Sequence, residues 1–308
     1  MTAATTDDSC PAPPESPTRE PILFKKPGLV LVSTPIGNLG DMTSRAVAAL
    51  RQADLVLCED TRTSAGLLRH FGVRTMTASL HDHNEAGRVP EILAHIAGGA
   101  LVALISDAGT PLVSDPGFRL VRAAIEAGVA VTAAPGVSAA VTALSLSGLP
   151  PHPFLFVGFL PARQAARVAA LRTLRAAEVA GLSATLVFYE SPRRAGEALA
   201  DMAAVFGDRP AALTRELTKL FEEVRRGGLG ELAGVYTAVE PRGEVTIVVG
   251  PGGEAASGGE DVDAMLMAAL RTQSVREAAA GVAEATGVAR KVVYARALVL
   301  KGRDENAG

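Results

Sequence analysis

The chain has 308 residues, of which 48% are hydrophobic, and a formal net charge of −3. That length and composition suit two domains with buried cores. The mild acidity excludes a globally basic, nucleic-acid-coating protein, so any surface for a polyanion has to be local.

Residues 1–27 carry Pro11, Pro13, Pro14, Pro17, Pro21 and Pro27 among Ser, Thr and Asp. Such a segment buries too little apolar surface to offset its ordering entropy, so it reads as a disordered tail without the apolar core of a signal peptide. LVLVS (29–33) then reads as a buried strand, followed by the loop TPIGNLGD and the amphipathic helix SRAVAALRQA. DLVLCED (54–60) is a second strand, and SAGLLRHFG a helix closed by Gly72. ALVALIS (100–106), a helix ending at Gly128, the strand VAVTAAPG and the helix VSAAVTALSLSG complete the half. Near-continuous apolar strands separated by helices imply a parallel sheet covered on both faces.

GLPPHP (148–153) breaks the rhythm and sets the expected boundary between an N-terminal α/β domain, 28–149, and a C-terminal one, 150–251. The second half reads as the strand FLFVGFLP, a helix near 163–178, TLVFYE (185–190), a helix near 192–206, AALTREL and EVTIVVG (244–250), with some strands antiparallel. PGGEAASGGED is a linker. A helical extension over 260–304 follows, with a capping box from Ser274 to Glu277 and a helix-turn-helix pattern. No apolar run reaches the roughly 18 residues of a membrane span, and Cys10 and Cys58 are poorly placed to pair, so a reducing cytoplasm and no membrane partner are expected.

There is no P-loop and no dinucleotide fingerprint after the first strand. HDH (81–83) lacks a third ligand nearby, so no metal site is expected. Three loops, TPIGNLGD, SDAGTP and APGVSAA, sit at the C-terminal tips of strands, where open α/β sheets bind ligands. Gly37, Gly109 and Gly136 permit close backbone approach, and Pro35, Pro111 and Pro135 stiffen the loops. Glu59, Asp60 and Arg62 end the second strand, either as a surface ion network or as site groups. Arg193, Arg194, Arg215, Lys219, Arg225 and Arg226 follow strands of the second half, either on a solvated helix face or as a phosphate-facing patch.

LVSTPIGNLGD, LCEDTRTSAGLLRHFG, LHDHNE, LISDAGTPLVSDPG, APGVSAAVTALSLSGLP, GFLP, FYESPRR and LTRELTK occur in one order over residues 29–250. This string resembles the ribosomal RNA small subunit methyltransferase I family of the tetrapyrrole (corrin/porphyrin) methylase superfamily. The resemblance implies two α/β domains with S-adenosylmethionine (AdoMet) in the cleft between them, a helical extension, and a homodimer. It implies 2'-O-methylation of a decoding-centre cytidine in 16S rRNA, with the 30S subunit as substrate.

By residue matching, the resemblance assigns cofactor contacts to Pro35 and Ile36, to Asp107, Ala108, Gly109 and Thr110, and to Ser138 and Ala139. From the second domain it assigns Tyr189, Leu213 and Glu244 to the adenosine. The candidate proton acceptors for the ribose hydroxyl are Asp60, Glu59 and, if its pKa is depressed, Lys219. Arg62, Arg193, Arg194, Arg215 and Arg225 are the RNA-facing set, to which the basic residues of the helical extension add. A tetrapyrrole C-methyltransferase of the same superfamily and a non-catalytic RNA-binding assembly module are the two rival readings.

Overall fold

A computed structural model of the chain describes residues 24–252, 259–286 and 290–304. The contacts divide it into two units: the first runs to Ala139 and takes in Thr218–Leu220, and the second holds Ala140–Leu217 and everything from Phe221.

The first unit alternates β1 (Gly28–Val32), α1 (Ser44–Gln52), β2 (Leu55–Cys58), α2 (Thr61–His70), β3 (Thr77–Ser79), α3 (Glu85–Ala97), β4 (Leu101–Ile105), α4 (Phe118–Glu126) and β5 (Val131–Ala134). The strands lie in the order β3-β2-β4-β1-β5 and every neighbouring pair is parallel. Alternate residues serve opposite faces. Val30, Leu101, Ala103 and Ile105 enter one core with α1, while Leu29, Val102 and Leu104 enter another with α3 and α4. Each such side chain, fully buried, contributes roughly 1.5–3 kcal/mol. Side-chain caps start two of the helices: Thr43 accepts from Ala46 N–H for α1, and Asp60 accepts from Arg62 N–H for α2. Buried Glu85 accepts the Leu120 N–H at 2.9 Å, which ties the start of α3 to the first turn of α4. Because all the strands run one way, the C-terminal tips of β1, β2, β4 and β5 share one sheet edge.

The expected tail lies outside the described residues up to position 23. Phe24–Pro27 are tied down ahead of β1: Phe24 N–H donates to Gln52 Oε1 and Lys26 pairs with Asp54 at 2.8 Å.

The second unit starts within α5 (Ala139–Ser147) and continues with β6 (Phe154–Phe159), α6 (Gln164–Val179), β7 (Thr185–Glu190), α7 (Ala195–Phe206), β8 (Pro210–Arg215), β9 (Glu223–Gly228), α8 (Leu229–Ala238) and β10 (Val245–Val249). Its sheet order is β6-β7-β10-β8-β9; β6 and β7 are parallel and the other pairs antiparallel. Leu171, Phe188, Leu199, Leu213, Leu232 and Ile247 centre its core. Gly196 lets α7 meet α8 backbone to backbone, since a Cβ there would fall 2.6 Å from the Tyr236 carbonyl oxygen.

The contact division falls between Ala139 and Ala140, at the first residue of α5, upstream of GLPPHP, and α5 is hydrogen-bonded into the second unit: Tyr189 Oη accepts from Ala140 N–H, and the Arg226 guanidinium donates to the Leu146 and Ser147 carbonyls. Residues 213–227 form no helix face. They are the end of β8, a turn and β9, a charged edge strand.

The C-terminal helices α9 (Gly259–Leu270), α10 (Val275–Thr286) and α11 (Arg290–Asp304) enclose a core of their own from Leu266, Ala278, Ala279, Val282, Val293 and Ala297. The capping box before α10 is formed: Ser274 N–H donates to Glu277 Oε2 at 3.1 Å, and Glu277 N–H to Ser274 Oγ at 3.3 Å. Most of the linker expected over 251–261 lies outside the described residues. Among the described residues, no helix is long and apolar enough to cross a membrane.

Candidate active site

The three strand-tip loops of the first unit are bonded into one surface. Thr34, just past β1, exchanges two backbone hydrogen bonds with Gly109, at 2.8 and 3.1 Å. Thr34 Oγ1 donates to the Ser106 carbonyl, and Ser106 Oγ donates to the Gly109 carbonyl at 3.0 Å. Thr110 Oγ1 lies 3.2 Å from Ser33 Oγ and donates to the Val137 carbonyl at 3.1 Å. The loops after β1, β4 and β5 are therefore tied to one another, as the adjacency β4-β1-β5 allows.

Gly109 lies at φ +82, and a Cβ there would meet Ile36 Cγ2 at 3.3 Å and the Val137 carbonyl oxygen at 3.6 Å. A Cβ on Gly136 would come within 2.9 Å of Ser33 Cβ. Leu112 and Ser114 also adopt left-handed conformations, folding residues 106–117 back on the strand tip.

Four carboxyls gather at this edge. Desolvation, then the charges of Asp107 and Asp82, push Glu59 above the usual carboxylate range. Asp107 is also raised, chiefly by desolvation and against a hydrogen bond from the Asp60 N–H. Asp115 is raised to about 6 by desolvation and by the charges of Glu59 and Asp107, while a hydrogen bond with Ser106 opposes the rise. Asp60 is the exception: its hydrogen bonds to the Arg62 side chain and N–H hold it at about 2. The set is a cradle of crowded carboxyls, stabilised by any cation placed against it.

The family model of the tetrapyrrole (corrin/porphyrin) methylases matches residues 28–233, and that of the RsmI C-terminal HTH domain matches 256–301. Ribosomal RNA small subunit methyltransferase I of Mesorhizobium japonicum is 48% identical over 278 residues, covering 90% of this chain and 93% of that protein. The chain belongs to the ribosomal RNA small subunit methyltransferase I family. The Pseudomonas aeruginosa protein of that name is 44% identical over 282 residues, 89% of this chain and 98% of that protein. The crystal structure of uroporphyrin-III C-methyltransferase from Thermus thermophilus complexed with S-adenosylhomocysteine matches with a TM-score of 0.50 at 21% identity, over 72% of this chain and 97% of that one, a likeness of fold. As a member of the family, this protein is a methyltransferase with AdoMet as its cofactor.

Of the residues the family resemblance assigns to the cofactor, Pro35, Ile36, Asp107, Ala108, Gly109, Thr110 and Ser138 lie on the bonded loops of the first unit, and Ala139 is the first residue of α5. Ala108 is exposed beside buried Gly109. In the second unit, Tyr189 is the penultimate residue of β7, half-buried, with its ring edge-on to Phe156 and Phe159 at 4.9 and 5.6 Å. Glu244 is exposed and its backbone is bonded to Glu216. Leu213, the third residue assigned to the adenosine, lies on β8. It is fully buried in the second unit's core, because its position on β8 points it at the covering helices. Lys219 is half-buried in the turn between β8 and β9, within the stretch that groups with the first unit.

Several of the arginines are paired within the fold. Arg62 pairs with Asp60 at 2.7 Å, Arg194 with buried Glu190 at 2.6 Å, and Arg215 with Glu223 at 2.6 Å. Arg226 donates to the Ser147 carbonyl at the end of α5, and Arg62, Arg193, Arg225 and Arg226 are exposed. In HDH, His81 belongs to the turn before α3, where its N–H donates to Asn84 Oδ1.

Asp115, Ser33, Ser106 and Val137 escaped the sequence reading. Asp115 stands in the SDPG that follows SDAGTP, but its approach to Ser106 and Glu59 depends on how the loop folds back.

Proposed function

We propose that this protein methylates the ribose 2'-oxygen of a decoding-centre cytidine in 16S rRNA, acting on the 30S subunit in the cytoplasm as a homodimer. The observation that carries the substrate is the 48% identity, over nine-tenths of the chain, to a protein named for methylating small-subunit ribosomal RNA. The first unit's geometry supports the cofactor side: a rigid backbone surface at Ile36, Gly109 and Val137 beside crowded carboxyls suits a ligand with a cationic amino-acid end. AdoMet, when bound, supplies an electrophilic methyl group.

The protein's own part is positioning, which is worth up to roughly 7–11 kcal/mol when both reactants are held in line. Asp107 would hold the ammonium group, and Ala108, Gly109 and Thr110 would give main-chain contacts, with Ser138 and Ala139 beside them. Tyr189 and Glu244 would be the residues for the adenosine. Among proton acceptors, Glu59 is better suited than Asp60, because a raised carboxyl is the stronger base and Asp60 is occupied by Arg62. Lys219 stays in the set as a group for the ribose hydroxyl.

The test offers radiolabelled AdoMet with unmodified 30S particles, naked 16S rRNA and a panel of tetrapyrroles, then maps labelled RNA by resistance to alkaline cleavage. One resistant cytidine in the 30S sample is expected. Label on a tetrapyrrole alone would overturn the substrate. Asp107→Ala is expected to abolish AdoMet binding, and Lys219→Ala to retain binding and lose transfer.

A further inference from the structure

We propose that the exposed face of α11 is an RNA-backbone contact surface, separate from the methyl-transfer residues, that docks this enzyme on its substrate. The inference rests on the rRNA reading above and assigns its helical extension a role. Arg290, Tyr294, Leu298 and Lys301 recur at intervals of four, four and three, which places them along one face of the helix, with Lys291 beside them. All five are exposed, Tyr294 by 41% and Leu298 by 51%. The adjacent face, about 100° round the helix, is committed: Val293 and Ala297 are fully buried against α9 and α10, and Leu300 packs on the same core.

Charge complementarity selects the occupant. Residues 290–301, RKVVYARALVLK, contain no acidic residue, in a chain whose net charge is −3. Arg296 is held within the fold, with its guanidinium donating to Asp263 of α9, Nε to Oδ1 at 2.8 Å. The remaining three bracket a tyrosine over roughly 16 Å of helix, at 1.5 Å per residue. Cations flanking an exposed ring match single-stranded RNA, with phosphates on the cations and an unstacked base on the ring.

The experiment uses the full-length protein. Arg290→Gln, Lys291→Gln and Lys301→Gln are combined in one variant. A control removes three exposed cations elsewhere, Arg74→Gln, Arg163→Gln and Arg172→Gln. Binding to a 16S rRNA fragment is measured from low to high salt, alongside methyl transfer and AdoMet affinity. The α11 variant is expected to flatten the log–log salt slope by about 2, at roughly 0.7 per lost phosphate contact. It should raise KM for RNA at least tenfold and leave kcat and AdoMet affinity unchanged, while the control moves none of these beyond its small effect on net charge. Tyr294→Ala should weaken RNA binding at least about fivefold and Tyr294→Phe should restore it, because the ring and not the hydroxyl stacks.

A wild-type protein that methylates rRNA alongside an α11 variant with unchanged slope and KM overturns this inference and spares the rRNA reading. A wild-type protein that neither binds nor methylates RNA overturns both. Binding to anionic phospholipid vesicles that the α11 variant loses, with RNA affinity intact, overturns it in favour of a membrane surface.

Discussion

Gly109→Ala tests whether the bonded loops are built around a close approach. Two costs add at this position. A side chain at φ +82 enters the left-handed region, at roughly 1–2 kcal/mol. The new Cβ would also sit 3.3 Å from Ile36 Cγ2, tighter than ordinary contact, so either Ile36 or the 106–117 loop must shift by a few tenths of an ångström. Such a shift strains the two Thr34–Gly109 hydrogen bonds and the Ser106 bond to the Gly109 carbonyl. Gly99→Ala separates the two costs, because Gly99 has φ +104 with nothing within 4 Å of its added Cβ. Gly99→Ala should lose about 1–2 kcal/mol, or about 2–8 °C in Tm for a chain of this size, and Gly109→Ala more than that, by the added cost of the contact. Only Gly109→Ala should weaken AdoMet, by tenfold or more, in calorimetric titration. Equal AdoMet affinity in the two variants would refute the reasoning, since strain alone would then account for Gly109.

Two further outcomes follow from the same geometry. Asp115, raised to about 6 from an ordinary 3.8, holds its proton more tightly folded than unfolded. It is therefore neutral and harmless below about pH 4, and its ionisation destabilises the fold as pH rises through 6. Asp115→Asn should gain about 1–2 kcal/mol over wild type at pH 7, after allowance for solvent screening, and little at pH 4, as read by denaturant melts at both pH values. Arg226→Ala removes the guanidinium that holds the Leu146 and Ser147 carbonyls and should cost about 1–3 kcal/mol in denaturant melts without changing AdoMet affinity.

The parallel half of the fold was legible because its strands are nearly pure apolar runs ended by Gly and Pro. β4, for example, is LVALI and wholly buried. The capping box at Ser274 was legible for an equally local reason. What hid was set by distant partners. β3 is three residues on a sheet edge with little burial to pattern it, and α3 carries Pro90 inside and has no side-chain cap bond. β9, EVRRGG, carries charge on an edge strand and so mimics a solvated segment. The candidate site divides the same way. Its glycines and prolines announced the loops. The clustering of Asp115 with Glu59 and Asp107, the pairing of Arg215 with Glu223 and the burial of Leu213 all depend on register and loop path, which residue types alone do not encode.

The central claim is that the bonded loops after β1, β4 and β5 hold the methyl donor. The most direct test is the crystal structure of the protein grown with S-adenosylhomocysteine. Ligand density with its amino-acid end against Asp107 to Gly109 and its flank on Ile36 and Ser138 is the predicted result. Density elsewhere on the protein, with these loops bare, would contradict the account.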